Sequence, residues 1–136
     1  MSDTALEILK ISRVLRRVAN AQISEFNLRV ASVHILDYIS KHRGLTKSQI
    51  ASSLELDHST VSRMSSRMLS MGLIEEIHGF EDDDRKIGIF LTKEGLLLLR
   101  KCRVRLKRIN KVIDKMFDGS SMEWNLETLQ EMEKNG

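Results

Sequence analysis

The stretch Leu45–Thr92 constrains the fold more than any other part of the chain, because capping signals, helical periods and β-rich runs follow one another there without a gap. Thr46 and Gln49 form a capping box: the threonine oxygen takes the third helical amide, and the glutamine reaches back to the cap amide. The short helix that follows turns Ile50, Ala51 and Leu54 inward. Glu55-Leu56 make a turn, and Asp57 stands where an N-cap is needed for a second helix, His58 to about Met71. That helix has an apolar stripe of Val61, Met64, Met68 and Leu69 and a polar face of Ser59, Ser62, Arg63, Ser66 and Arg67, and Gly72 ends it. Leu73–Ile77 and Ile87–Leu91 are short β-branched or aromatic runs around a polar, glycine-containing tip, which predicts an antiparallel hairpin. Helix, turn, helix and hairpin in this order describe a winged helix-turn-helix, a mainly α fold with a small β-hairpin wing.

The flanks are helical. Leu6, Ile8, Leu9, Ile11, Leu15, Val18 and Ala19 recur at helical spacing from Asp3 to about Gln22, with Arg13, Arg16 and Arg17 between them and Ser2 or Asp3 as the cap. A further helix is expected over Ala31–His42, with Val33, Ile35, Leu36 and Ile39 on its apolar face and Gly44 as its stop. Thr92 caps a long helix from Lys93 to about Phe117. Asp118-Gly119 breaks it, and Ser120 with Glu123 makes the capping box of a last helix. The chain contains no proline, so nothing forces a break inside these helices.

Composition narrows the function classes. The 136 residues suit one compact domain, and 41% hydrophobic with 30% charged residues is ordinary for a soluble protein. A single cysteine, Cys102, excludes an intrachain disulfide and fits a reducing, cytoplasmic setting. No apolar run approaches the roughly 18 residues a membrane span needs, and the N-terminus does not start a signal peptide. The four histidines show no metal-ligand spacing with one another or with Cys102, so neither metal nor cofactor is expected. No nucleophile–base pair or phosphate loop appears, and a small helical domain with seven scattered glycines offers no obvious pocket, which argues against an enzyme.

The formal charge of +3 is permissive for nucleic acid, but between Asp57 and Lys86 the balance is −3. Bulk attraction cannot then bring this segment to DNA; individually placed side chains must. The second helix of the motif supplies them. Ser59, Thr60, Ser62 and Ser66 reach phosphates at little steric cost. Arg63 and Arg67, four apart on one face, can grip phosphates or the O6/N7 edge of guanine. An amphipathic surface helix with a wet polar face has the same composition; the capped helix before it and the hairpin after it turn the reading toward DNA. At the tip, Arg85 admits two readings, a probe of a narrow minor groove, which is favoured, and a solvated ion pair. Lys86 is balanced between the same role and a solvated ion pair. Arg100–Lys111 carries seven cations and no acid. Its apolar positions Leu99, Cys102, Leu106, Ile109 and Ile113 recur at near-heptad spacing, so it reads as a dimerisation helix with charged outer faces and a buried, inert thiol.

Leu45-Thr46 to Leu56, Asp57-His58-Ser59-Thr60-Val61-Ser62-Arg63, Met71-Gly72-Leu73-Ile74, Asp83-Asp84-Arg85 and Leu91-Thr92-Lys93-Glu94-Gly95 together resemble the MarR family of bacterial and archaeal transcriptional regulators. The likeness runs over essentially the whole chain. It implies an obligate homodimer: about 1–25 and 93–136 would form the dimerisation helices of one MarR-like domain, and about 30–92 its winged helix-turn-helix. It also implies a recognition helix at His58–Met71 and a wing arginine, Arg85, held by Asp83. The chain departs from the pattern at Glu55, where many members have Gly, and at His58, where many have Pro. A non-Gly residue costs on the order of 1 kcal/mol if the turn is left-handed there.

The expected function is a sequence-specific regulator of transcription that binds double-stranded DNA at a pseudo-palindromic operator, a repressor modulated by a small-molecule effector. Its DNA contacts would be Ser59, Thr60, Ser62, Arg63, Ser66, Arg67, Arg85 and Lys86. The alternative is a winged-helix interaction module, an antagonist that pairs with another regulator and touches no DNA; the net acidic winged segment motivates it.

Overall fold

The structure, a computed structural model, describes residues 3–117 and 122–135. Helix α1 spans Thr4–Gln22, and Asp3 caps it by accepting the Leu6 amide at 3.4 Å. A 3-10 turn, Ser24–Phe26, ends in Asn27, whose left-handed backbone redirects the chain into α2, Val30–Lys41. Both capping-box hydrogen bonds, between Thr46 and Gln49, are present at the start of α3, Lys47–Leu54. Glu55 follows it in the left-handed region (φ 55°, ψ 44°) and closes the helix through its amide to the Ala51 carbonyl. The turn therefore needs the conformation that glycine adopts most cheaply, and this chain holds it with glutamate.

Helix α4 covers His58–Ser70. Asp57 has the extended backbone of an N-cap but makes no capping hydrogen bond with its side chain, contrary to the expectation from sequence. Gly72, at φ +74°, ends the helix as expected. Strands β1 (Ile74–His78) and β2 (Ile87–Leu91) pair antiparallel, with Ile74 opposite Leu91 and His78 opposite Ile87. Leu45 adds a single bridge to the free edge of β2, its carbonyl accepting the Ile89 amide at 2.8 Å. The Thr92 hydroxyl accepts the Gly95 amide at 3.0 Å and donates to the Gly72 carbonyl at 2.6 Å. It therefore caps α5, Lys93–Phe117, and ties that start to the end of α4. Helix α6 spans Met122–Asn135. The expected Asp118-Gly119 break and Ser120–Glu123 capping box lie outside the described residues.

The chain divides into two compact units, Met1–Leu106 and Lys107–Gly136. In the first, Ile23, Ile35, Leu36, Ile50, Val61, Met68, Ile74, Ile89, Leu99 and Cys102 are sealed from solvent. Each of the large apolar side chains among them contributes roughly 1.5–3 kcal/mol by leaving water. The core thus joins α2, α3, α4, the hairpin and the first turns of α5. Two α5 cations expected on outer faces are engaged at home instead. Arg103 pairs with Asp37 at 2.5 Å, and Arg105 pairs with Glu25 while standing 5.9 Å from the centre of the Phe26 ring. Burial pushes the Asp37 carboxyl up, but hydrogen bonds from Arg103 and Lys41, with the charges of both, outweigh it and hold its pKa below the ordinary value. Burial pushes the Cys102 thiol up, which leaves the thiolate scarcer than in a free cysteine.

Large apolar side chains remain uncovered. On α1, Leu6, Ile8, Leu9 and Ile11 are 52–61% exposed, and in the second unit Met116, Leu129 and Met132 are 62–65% exposed. Among the described residues no helix is long and apolar enough to cross a membrane.

Candidate nucleic-acid interface

The core selects which face of α4 looks outward. Val61, Ser65 and Met68, at i, i+4 and i+7, are fully buried and define the inner stripe. Leu69, expected in that stripe, lies on its flank and is 40% exposed; Met64 is half-buried. The physical reason is helical phase: 65 lies nearer than 69 to the direction shared by 61 and 68 on the wheel, so a serine takes the position that the apolar count assigned to leucine. The Ser65 hydroxyl is buried with no hydrogen-bond partner.

The opposite face carries the residues singled out from sequence. Ser59, Arg63, Ser66 and Arg67 are exposed, while Thr60 and Ser62 are half-buried at its margins. Among the described residues the hydroxyls of Ser59, Thr60, Ser62 and Ser66 take no side-chain hydrogen bond within the chain, and Arg63 has no ion pair. These donors are therefore uncommitted. Arg67 is different: its Nη2 donates to the Asn27 carbonyl at 3.1 Å, which fixes the guanidinium toward the turn before α2. At the start of α4, His58 Nε2 lies 3.4 Å from the Ser48 hydroxyl and links the two helices of the motif.

The wing presents its arginine on a braced mount. One Asp83 carboxylate oxygen accepts both the Arg85 amide at 3.0 Å and the Arg85 Nε at 3.3 Å. The Arg85 side chain stays 92% exposed. Lys86 instead contacts Glu81 at 3.1 Å, so the balance left open for it now includes an ion pair. The tip between the strands is a 3-10 turn, Phe80–Asp82, in which Glu81 and Asp82 both have positive φ. Phe80 anchors it. Its ring packs edge-on against Phe90 with centroids 5.5 Å apart and covers Gly44 and Gly88. A Cβ on Gly88 would stand 2.8 Å from that ring, and one on Gly44 would overlap it. Sequence reading took the tip as polar and missed Phe80, because its two glycine seats lie 36 and 8 positions away.

A basic crevice adjoins α4. About 1160 Å³ in volume, it is lined by Arg13, Arg16 and Arg17 of α1, Arg29, and Arg63 and Arg67 of α4, with no acidic residue in its walls. The expectation of no obvious pocket is thereby corrected. Arg13, Arg16 and Arg17 were visible in the sequence as cations between apolar positions, but not as neighbours of α4; Asn20, whose side chain accepts the Val30 amide at 2.8 Å, helps join α1 to the α2 start. Among the described residues no group of histidine, cysteine and carboxylate side chains could hold a metal ion.

This arrangement can be set beside known proteins. A family model described as the MarR family matches residues 28–86. Over those residues the chain is similar to the MarR family. Solved structures of similar fold include the transcriptional regulator BldR from Sulfolobus solfataricus, at TM-score 0.75 and 19% identity, covering 100% of both chains. Wild-type MarR from E. coli in its apo form matches at TM-score 0.73 and 18% identity, covering 99% of this chain and 97% of that one. A MepR–DNA complex from S. aureus matches at TM-score 0.72 and 22% identity, over 98% of this chain and 93% of the other. No protein of curated function matches the sequence. The MarR likeness thus spans the flanking helices as a fold, and the family match itself covers α2 through the wing tip.

Proposed function

We propose that this chain is a sequence-specific, double-stranded-DNA-binding regulator of transcription that acts as a homodimer. The observation that carries the reading is the uncommitted face of α4, four free hydroxyls around an unpaired Arg63, beside an Arg85 that is 92% exposed on an Asp83 brace. Support comes from two relatives of the same fold, the MepR–DNA complex and a MarR mutant complexed with operator DNA (TM-score 0.72, 19% identity). In this proposal α4 enters the major groove. Arg63 contacts base edges, Ser59, Thr60, Ser62, Ser66 and Arg67 fix phosphates, and Arg85 probes the minor groove with Lys86 at its rim.

The uncovered apolar side chains of α1, α5 and α6 support pairing with a second copy, since patches of that kind mark protein–protein surfaces. Residues of about 1–25 and 93–136 are the proposed dimerisation helices around a winged domain of about 30–92. The dimer would act from the cytoplasm as a repressor, occupying a pseudo-palindromic operator and excluding other proteins from it. A small-molecule effector held between the dimerisation helices and the winged domain would lower affinity by changing the separation of the two α4 helices.

Arg63→Ala tests the reading. On a cognate site selected from random DNA, specific binding is expected to weaken by about 1–3 kcal/mol, with relaxed preference at one base pair. Unchanged affinity and preference would remove Arg63 from the interface. The second reading, a protein antagonist that does not bind DNA, is favoured by the −3 balance of residues 57–86. Salt separates the two: DNA binding weakens steeply as salt rises, whereas an apolar protein contact does not.

A further inference from the structure

The six-arginine crevice demands a counter-charge. Six guanidinium groups line one open cavity, no acid shares its walls, and among the described residues none of the six has an ion pair. Like charges gathered around one cavity repel one another, and salt screens that repulsion only in part. An anion in the crevice relieves that repulsion. Its guanidinium lining favours phosphate, which takes paired N–H donors from arginine.

Two features identify the source of the phosphate. Arg63 and Arg67 belong both to this lining and to the outward face of α4, so the crevice is continuous with the proposed reading surface. The reading segment itself is net negative, −3 over residues 57–86, and cannot supply the attraction that non-specific DNA binding requires. The α1 arginines are the nearby positive charge that can. Arg13, Arg16 and Arg17 occupy one face of α1 over about 6 Å of its length, at about 1.5 Å rise per residue. They form a row rather than a point.

We propose that Arg13, Arg16, Arg17 and Arg29 clamp the DNA phosphate backbone beside the groove entered by α4, and that they provide the sequence-independent part of the affinity. The assignment rests on the DNA-binding reading above. Arg67, fixed by the Asn27 carbonyl, joins this clamp to the base-reading face. In this division of labour, α4 and the wing carry sequence preference while α1 and the α2 start carry charge.

The test is an R13Q/R16Q/R17Q triple variant of the full chain, compared with wild type and with R13K/R16K/R17K. Binding is measured by fluorescence anisotropy on a selected site and on a scrambled duplex, from 50 to 300 mM salt, with light scattering to record oligomeric state. Removing a single phosphate neutralisation from each of two copies lowers the slope of log K against log salt by about 2. The glutamine variant is expected to show at least that decrease, to bind both duplexes more than tenfold more weakly near 0.1 M salt, and to keep the ratio between them. The lysine variant is expected to recover most of the slope. A glutamine variant that matches wild type in slope and affinity overturns the clamp, as does one that weakens only because the copies dissociate. Calorimetry with inorganic pyrophosphate adds a separate arm. Tight uptake by wild type that disappears in the glutamine variant, with the DNA slope unchanged, would reassign the crevice to a small phosphate and also overturn the proposal. A wild type that binds neither duplex at any salt would instead defeat the DNA-binding reading itself.

Discussion

Ser65 is a poorly satisfied residue of α4. Its hydroxyl lies in the core, fully buried between Val61 and Met68, and hydrogen-bonds to nothing. A buried polar group left unmade costs about 1–3 kcal/mol, and alanine is in addition the better helix former. Ser65→Ala should therefore raise the melting temperature, with a gain of about 1 kcal/mol in chemical denaturation; equal or lower stability would mean that the hydroxyl has a partner in solution. Glu55 carries a second local cost through its left-handed backbone. The two differ in how far sequence revealed them. The cost at Glu55 was suggested, conditionally, by the family resemblance, in which many members have glycine at that turn. The burial of Ser65 did not follow, because a serine among Ser62, Arg63, Ser66 and Arg67 looks like one more member of the wet face. Only the phase set by Val61 and Met68 against the core separates it from them.

At the scale of elements, the wing shows how a short hairpin can offer a cation rigidly. Internal hydrogen bonds close the tip, including Lys86 N–H to the Asp83 carbonyl at 2.9 Å, and Phe80 seats it on Gly44 and Gly88. Asp83 then fixes Arg85 at two donors through one oxygen. The brace is solvent-facing and worth at most about 1 kcal/mol, so its value is orientation rather than stability. Asp83→Ala should leave the melting temperature nearly unchanged and weaken operator binding by about twofold to fivefold, as measured by anisotropy. A large loss of stability, or tighter binding from the removal of an acid, would contradict the bracing role. The strands were legible in the sequence as β-branched runs, a local signal, and the Asp83–Arg85 pair was implied by the family resemblance. The positive φ of Glu81 and Asp82 and the Phe80 anchor were not, because contacts distant in the chain impose them.

For the whole molecule, charge and apolar surface divide the work. Leucines, isoleucines and methionines of α1, α5 and α6 remain uncovered, and in the proposed homodimer pairing would set the distance between the two α4 helices. Arg103 and Arg105, which looked in sequence like part of an external basic stripe, tie α5 to Asp37 and Glu25. Among the described residues, six arginines without an ion pair line the crevice between α1 and α4. Helical periods announced each of those helices, but a period says which residues share a face and not which faces meet. Hydroxyl-radical footprinting of the purified protein on a duplex selected from random DNA tests the central claim most directly. Two protected patches on one side of the duplex, related by a pseudo-dyad and centred about 10–10.5 base pairs apart, are the predicted result for two α4 helices in successive major grooves. No enrichment of any sequence, or protection confined to one half-site under saturating protein, would contradict it.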